Sequence, residues 1–374
     1  MDPRITLRDV ALRAHVNVST VSLALRNSPR LSSATRTRIQ TIAKEMGYTR
    51  DSWLDALLAY RDAARRRCHP PVLAYVTSWR LPLETIPHHR FYWQGARRRA
   101  DELGFHLEHF SLADPGMTDE RMSGILAARG IGGIVLSSFD KGVAELRFDW
   151  SQFSVVRIEL QPCRPGFSST SVDHLRAIIE AVRQAGALGY HRPGFLLGHD
   201  WSQLTEDHWE MGFLWAQQKL SPADRLPVFH FNADWKRVPR QFRFATWFSE
   251  HQPDVLIGPH FHIEARLGDK KLTVPRDVAV IDPFLETPHP FYAGILHDFE
   301  EVGARAVENL ALLVTRNLRG IQPTMARSYV DGYWQPGPSC PPLRPLASPR
   351  GENHSILRLT PSCDGESLQV GRDL

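Results

Sequence analysis

Cysteine is scarce in this chain of 374 residues. Its four copies, Cys68, Cys163, Cys340 and Cys363, stand far apart with no CxxC spacing, which disfavours both a disulfide framework and a zinc cluster. Apolar runs are short as well. None approaches the roughly 18 residues a membrane span needs, and the opening MDPRITLRDV lacks the apolar core of a signal peptide, so a cytoplasmic location with reduced thiols is expected. No GxGxxG, no lysine-bearing phosphate loop and no GxSxG elbow occurs. The histidines, including His88-His89 and His260-Phe261-His262, show no HExxH or Cys/His ligand spacing. The expectation is therefore no catalytic residue, no cofactor and no metal.

The chain does contain enough apolar material for cores. Hydrophobic residues make up 42% and charged residues 23%, inside the globular range, and the length calls for two or three domains. The formal charge of +4 is unevenly spread. Residues 1–67 hold 13 Lys+Arg against 6 Asp+Glu, a net +7, and the remainder carries −3. A small basic head on a larger, slightly acidic body suggests a polyanion-binding element attached to a part with another job.

The head reads as three short helices. Leu7, Val10, Ala11 and Ala14 follow helical spacing, and His15-Val16 interrupts it. Asn17 is expected to cap a second helix from Val18 to about Arg26, with Val21, Ala24 and Leu25 inward and Val18, Ser19, Ser22, Leu23 and Arg26 on the other side. Ser32 is expected to cap a third, whose Ile39, Ile42, Ala43 and Met46 share a face and which Gly47 stops. Two helices joined by a tight turn, the second with a small, polar outer face, suit insertion into a DNA major groove about 12 Å wide. A generic three-helix bundle has the same pattern.

From Val72 short apolar runs alternate with helical stretches: VLAYVTS, a helix over Ala96–Leu103, FHLEHF, a helix over Asp119–Ala128, GIGGIVLSSF and SVVRIEL. The alternation restarts with a helix over Asp173–Leu188, then GFLLG, PVFHF, DVLIG, VAVID and AGILH with helices between, and a long helix over Phe299–Leu318. This predicts two α/β lobes with parallel sheets whose strand ends face a shared cleft. The expected domains are a headpiece over 1–49, a linker over 50–69 and a two-lobed core over 70–334. The lobes are placed at 70–160 with 297–320 and at 161–296 with 321–334. The segment 335–374, rich in Pro, Ser and Arg without periodicity, is expected to be a disordered tail.

The head closely resembles the DNA-binding headpiece of the lactose-repressor (LacI/GalR) family of bacterial transcription regulators. The resemblance is carried by Thr6-Leu7, Asp9-Val10-Ala11, Ser19-Thr20-Val21-Ser22, Asn27, Ser32, Thr35-Arg36, Ile39 and Gly47-Tyr48. LGYHRPGFLLG, VAVIDPF and ILHDFEEVGARAVENL resemble segments of that family's core, itself similar to periplasmic sugar-binding proteins, so the likeness covers residues 5 to about 334. It implies that Val18, Ser19 and Leu23 face bases, that Thr6, Thr20, Ser22, Asn27 and Thr35 contact phosphate, and that Leu7, Asn17 and Tyr48 belong to the same surface. Leu23 stands where arginine or histidine is frequent, and an aliphatic side chain cannot hydrogen-bond guanine. The family's hinge, helical only on DNA, wedges a leucine into the minor groove; Leu57 matches that position. Arg50 replaces the usual proline, and Asp51 and Asp55 add negative charge. A plain linker helix is the other reading of this stretch.

In the core the resemblance makes Asp282 an acceptor for ligand hydroxyls. Trp209 falls where the family has an arginine, and Pro259-His260 replaces an Asn-Asp pair, so the identity of the ligand is not inherited. Phe91, Tyr92 and Glu159 complete the expected cleft, with His297 and Asp298 in the lobe-crossing segment. The resulting expectation is a dimeric, nucleoid-associated repressor that binds a pseudo-palindromic operator on double-stranded DNA. Its effector is expected to be a small molecule, a carbohydrate or derivative, and no membrane is involved. The rival is a cytoplasmic sugar-binding sensor without a DNA role.

Overall fold

In the computed structural model the described residues are 5–48, 70–79, 82, 85, 87–137, 144–160, 163–231 and 240–343. Leu57 and the hinge expected around it lie outside them. The head forms α1 (Leu7–Ala14), α2 (Val18–Leu25) and α3 (Ser33–Glu45). Thr6 starts α1 through a capping box: its hydroxyl oxygen accepts from the Asp9 amide at 3.4 Å, and the Asp9 carboxylate accepts from the Thr6 amide at 2.7 Å. Ser32 caps α3 by accepting from the Thr35 amide at 3.1 Å. Asn17 does not act as expected. It occupies the N-cap position of α2 with extended backbone, but its side chain makes no capping bond. Val10, Ala11, Ala14, Val21, Ala24, Ile39 and Ala43 form the small core that holds the three helices together.

The core continues with β1 (Val72–Thr77), α4 (Pro87–Glu102), β2 (His106–Ser111), α5 (Asp119–Ala128), β3 (Gly133–Leu136), a two-residue β4 (Ala144–Glu145), β5 (Ser154–Ile158), β6 (Cys163–Arg164) and β7 (Ser169–Val172). The second half comprises α6 (His174–Ala187), β8 (Pro193–Gly198), α7 (His199–Leu204), α8 (His208–Ala216), β9 (Phe229–Phe231), α9 (Arg240–His251), β10 (Val255–Ile257), α10 (His260–Lys270), β11 (Ala279–Leu285) and β12 (Ala293–Leu296). Then come α11 (Phe299–Thr315), β13 (Arg327–Val330) and β14 (Tyr333–Gln335). One sheet has the order β13-β7-β5-β3-β1-β2, all parallel. The other is β14-β12-β11-β10-β8-β9, parallel except for β14. Strands such as β1, β3, β8 and β10 are buried along nearly their whole length, as strands covered on both faces by helices must be.

The chain passes between the sheets three times, after β7, after β12 and after β13. This corrects the expected lobe boundaries. The first lobe holds 72–172 with 299–330, and the second holds 174–296 with 333–343. Strands β7 and β13 escape sequence reading because STSV and RSYV are short and largely polar. β7 is nonetheless buried, with Thr170 accepting from the Asn309 amide nitrogen at 3.2 Å. The expected disordered tail is also corrected at its start. Ser339 donates to the Val280 carbonyl at 2.7 Å and accepts from the Ala293 amide at 2.8 Å. Cys340 is buried and the Leu343 amide donates to the Leu188 carbonyl at 2.9 Å. Residues 335–343 thus complete the second lobe through backbone and hydroxyl pairing, which leaves no apolar period to read. Residues 344–374 lie outside the described set.

In the first lobe α4 and α11 cross in direct backbone contact. A Cβ added at Gly303 would run into the Tyr92 carbonyl, and one at Gly95 into that of Glu300. This approach fixes α4, and with it Tyr92, against the first sheet. Gly303→Ala is expected to force the helices apart and to lower unfolding stability by roughly 1–3 kcal/mol, read as a lower denaturation midpoint. An unchanged midpoint would mean that the crossing yields freely.

Candidate nucleic-acid interface and ligand cleft

The outer face of α2 is open. Val18 is 39% exposed, Ser19 and Arg26 are exposed, and Ser22 and Leu23 are half-buried. Asn17 and Thr6 are exposed, whereas Leu7, Thr20, Asn27, Thr35 and Tyr48 are partly covered. Several of these are already engaged within the chain. The Thr6 hydroxyl donates to Asp9 at 2.7 Å, and the Thr35 and Ser32 hydroxyls lie 2.8 Å apart. Asn27, in the left-handed region at φ 53°, accepts from the Gln40 side chain at 2.7 Å, and its carbonyl accepts from Asn317 of the core at 2.6 Å. Beside the start of α2 a groove of about 530 Å³ is lined by Arg8, Leu12, His15, Asn17 and Val18. Arg8, His15 and Asn17 thus share one groove with the exposed start of α2.

In the core the structure brings Tyr92, Glu159 and Trp209 into one hydrogen-bonded chain, through a residue that sequence reading missed. The Tyr92 hydroxyl on α4 donates to one Glu159 oxygen. The other oxygen lies 2.9 Å from His174 Nε2 at the start of α6. Trp209 Nε1 on α8 donates to His174 Nδ1 at 3.0 Å. An indole N–H only donates, so Nδ1 must accept and the histidine carries its proton on Nε2, aimed at Glu159. Tyr92 and Glu159 belong to the first lobe, His174 and Trp209 to the second. Glu159 closes β5 in the left-handed region at φ 70°. Burial pushes its carboxyl up, but the bonds from His174 and Tyr92 outweigh that and hold it below the ordinary value. The same buried pairing pushes the Tyr92 hydroxyl well above its ordinary value.

Asp282 sits on β11, only 1% exposed. It accepts from His260 Nδ1 at 2.6 Å, from the His260 amide at 2.9 Å and from the Phe284 amide at 2.8 Å. Three of its roughly four acceptor positions are thereby used. His260 also stacks on Tyr292 at 4.5 Å. Phe284, the second residue absent from the sequence reading, joins the two halves of the cleft. Its ring lies parallel to His174 at 5.8 Å and edge-on to Trp201 at 5.0 Å, and it meets His88 and Phe299 of the first lobe at 5.8 and 5.2 Å. His88 lies 2.9 Å from Glu286, a second pair across the cleft. No periodicity marks His174 or Phe284; the one local hint is that His174 directly follows Asp173, the residue that caps α6. Phe91 is not brought into this group: it is partly buried, with the Arg90 guanidinium 4.5 Å over its ring. Trp209 is fully covered, stacked on Trp201 at 5.0 Å. His297 Nε2 donates to the Pro283 carbonyl at 2.9 Å.

Among the described residues no group of three or more His, Cys, Asp or Glu is arranged to hold a metal ion, and no helix is long and apolar enough to cross a membrane. Residues 6–51 match the profile described as bacterial regulatory proteins, lacI family. The transcriptional regulator DegA of Bacillus subtilis (strain 168) is 24% identical over 218 residues, 57% of this chain and 61% of DegA. The transcriptional repressor CytR of Escherichia coli (strain K12) is 51% identical over 43 residues, 12% of this chain and 13% of CytR. The matches therefore span less than two thirds of either relative. Among solved structures, the transcriptional regulator CelR in complex with cellobiose superposes with a TM-score of 0.52 at 18% identity, covering 90% of this chain and all of that one. At this identity the likeness concerns the fold.

Burial holds the His297 imidazole down to about 4, and burial with the adjacent His88 holds His89 down to about 2. An unfolded chain protonates both near the ordinary value of about 6.5. Stability should therefore fall as pH drops from about 6.5 towards 4, where the unfolded state binds more protons. His260 acts in the opposite sense. Its bond to Asp282 raises its value, so its contribution is complete below the unfolded value and fades as pH rises through the folded one. Melting curves against pH should show the acid loss, flattened by His297→Gln. Proton titration by NMR should place His260 above its ordinary value and return it towards that value in Asp282→Asn; an unmoved His260 would contradict the pairing.

Proposed function

We propose that this chain, whose residues 6–51 match the lacI family of bacterial regulatory proteins, is a sequence-specific DNA-binding transcriptional repressor controlled by a small molecule, a carbohydrate or derivative. The observation that carries the DNA reading is the exposed face of α2, with Val18, Ser19 and Ser22 on a segment of net charge +7. A helix so placed can enter a major groove, and the cations around it neutralise phosphates. One headpiece offers too few contacts for selective binding. We take the working unit to be a homodimer on a pseudo-palindromic operator with half-sites about one helical turn apart.

The effector reading rests on the cleft, where rings and carboxylates from two lobes converge, as in sites that stack a sugar ring and bond its hydroxyls. The cellobiose complex of CelR, a protein of the same fold, agrees with a carbohydrate. Lobe movement would alter how paired headpieces sit relative to each other, which makes effector and operator binding mutually linked. Gel shifts with the DNA upstream of its own gene cluster should show a selective complex that weakens on the order of 10³-fold between 50 and 200 mM salt. Absence of any salt-sensitive sequence preference would overturn the proposal. For the effector, Asp282→Ala is expected to retain operator binding and lose the response to the inducing sugar; unchanged induction would remove Asp282 from the site.

A further inference from the structure

We propose that Arg26 is a base-reading residue of this headpiece and supplies the bidentate hydrogen bonding that Leu23 cannot, an inference that rests on the DNA-binding reading above. Ser19, Ser22 and Arg26 are spaced i, i+3 and i+7, so they form one stripe along α2 and its end. Ser19 and Arg26 are exposed and Ser22 half-buried. Arg26 follows directly on the last residue of α2, and its guanidinium folds back along the helix rather than away from it. Nε donates to the Ser22 carbonyl at 3.2 Å and Nη2 to the Ser22 hydroxyl at 2.7 Å.

These two bonds use two of the five guanidinium donors. They fix the plane of the group and leave Nη1, with one proton of Nη2, facing outward as a fork. A forked pair of parallel donors matches guanine O6 and N7 in the major groove, the commonest specific arginine contact with DNA. α2 carries no acidic residue that would neutralise the cation. Ser22 then acts as a positioning residue: it holds the arginine in the groove-facing arrangement before DNA arrives, so less side-chain freedom is lost on binding. A free arginine at a helix end would more often reach for a phosphate, and the two roles differ in what they do to sequence preference.

The test uses the full-length protein and selection from a library of randomised pseudo-palindromic duplexes, comparing the natural chain with Arg26→Ala and Arg26→Lys. The natural chain should select guanine at one fixed position of each half-site. Arg26→Ala should lose that preference alone, reducing discrimination there roughly 5- to 150-fold. Arg26→Lys should keep the overall affinity and salt dependence but not the guanine preference, because an ammonium lacks the fork. If Arg26→Ala weakens all sequences equally and lowers the salt slope by about one charge, Arg26 is a phosphate contact and the proposal fails. An Arg26→Ala protein with preference intact also overturns it. Failure of the natural chain to select any sequence would sink the DNA reading itself, and with it this assignment.

Discussion

The buried Glu159 carboxylate is the constraint around which the core is arranged. A carboxylate with almost no access to water needs partners in fixed directions, and losing one would cost about 3–5 kcal/mol. Here the partners come from different lobes, Tyr92 beside it and His174 across the cleft. The direction of the histidine proton is set in turn by the Trp209 indole, which can only donate. Trp209 is therefore more than filler. It decides which nitrogen of His174 is free to bind Glu159, and so which arrangement of the two lobes keeps the Glu159 carboxylate paired.

Around that chain the cleft is apolar and aromatic. Phe284 touches rings of both lobes, and its amide is held by Asp282, which also anchors His260. The polar groups of the cleft are thus used in bonds to one another, and a ligand must exchange with some of them. On the proposed function, this is a physical basis for linkage between effector and DNA: a ligand entering here acts on bonds that span the lobes. The chain crosses between the lobes three times, and such crossings are where hinge closure takes up its torsional change.

Much of this was legible in the sequence, for definite reasons. The parallel strands are short apolar runs because helices cover both faces, and the headpiece helices show their inward stripes plainly. Tyr92, Glu159, Trp209, His260 and Asp282 were named because matching segments placed them at strand and helix ends. The failures share a cause. β7, β13 and residues 335–343 are held by backbone and hydroxyl bonds, which leave no period in hydrophobicity. His174 and Phe284 are defined by partners more than ten residues away or in the opposite lobe, a relation that no local pattern encodes. Phe91 packs on the first-lobe core with the Arg90 guanidinium over its ring, while Tyr92, one residue on around α4, makes the bond to Glu159.

The Glu159–His174 bond joins the lobes, and on the proposed function their joining governs the headpieces. A double-mutant cycle of Glu159→Gln and His174→Gln, read as operator affinity of the full-length protein, tests it most directly. The account predicts a coupling of about 0.5–3 kcal/mol between the two substitutions. Effects that add within about 0.5 kcal/mol would show that the two residues act independently on DNA binding and would contradict it.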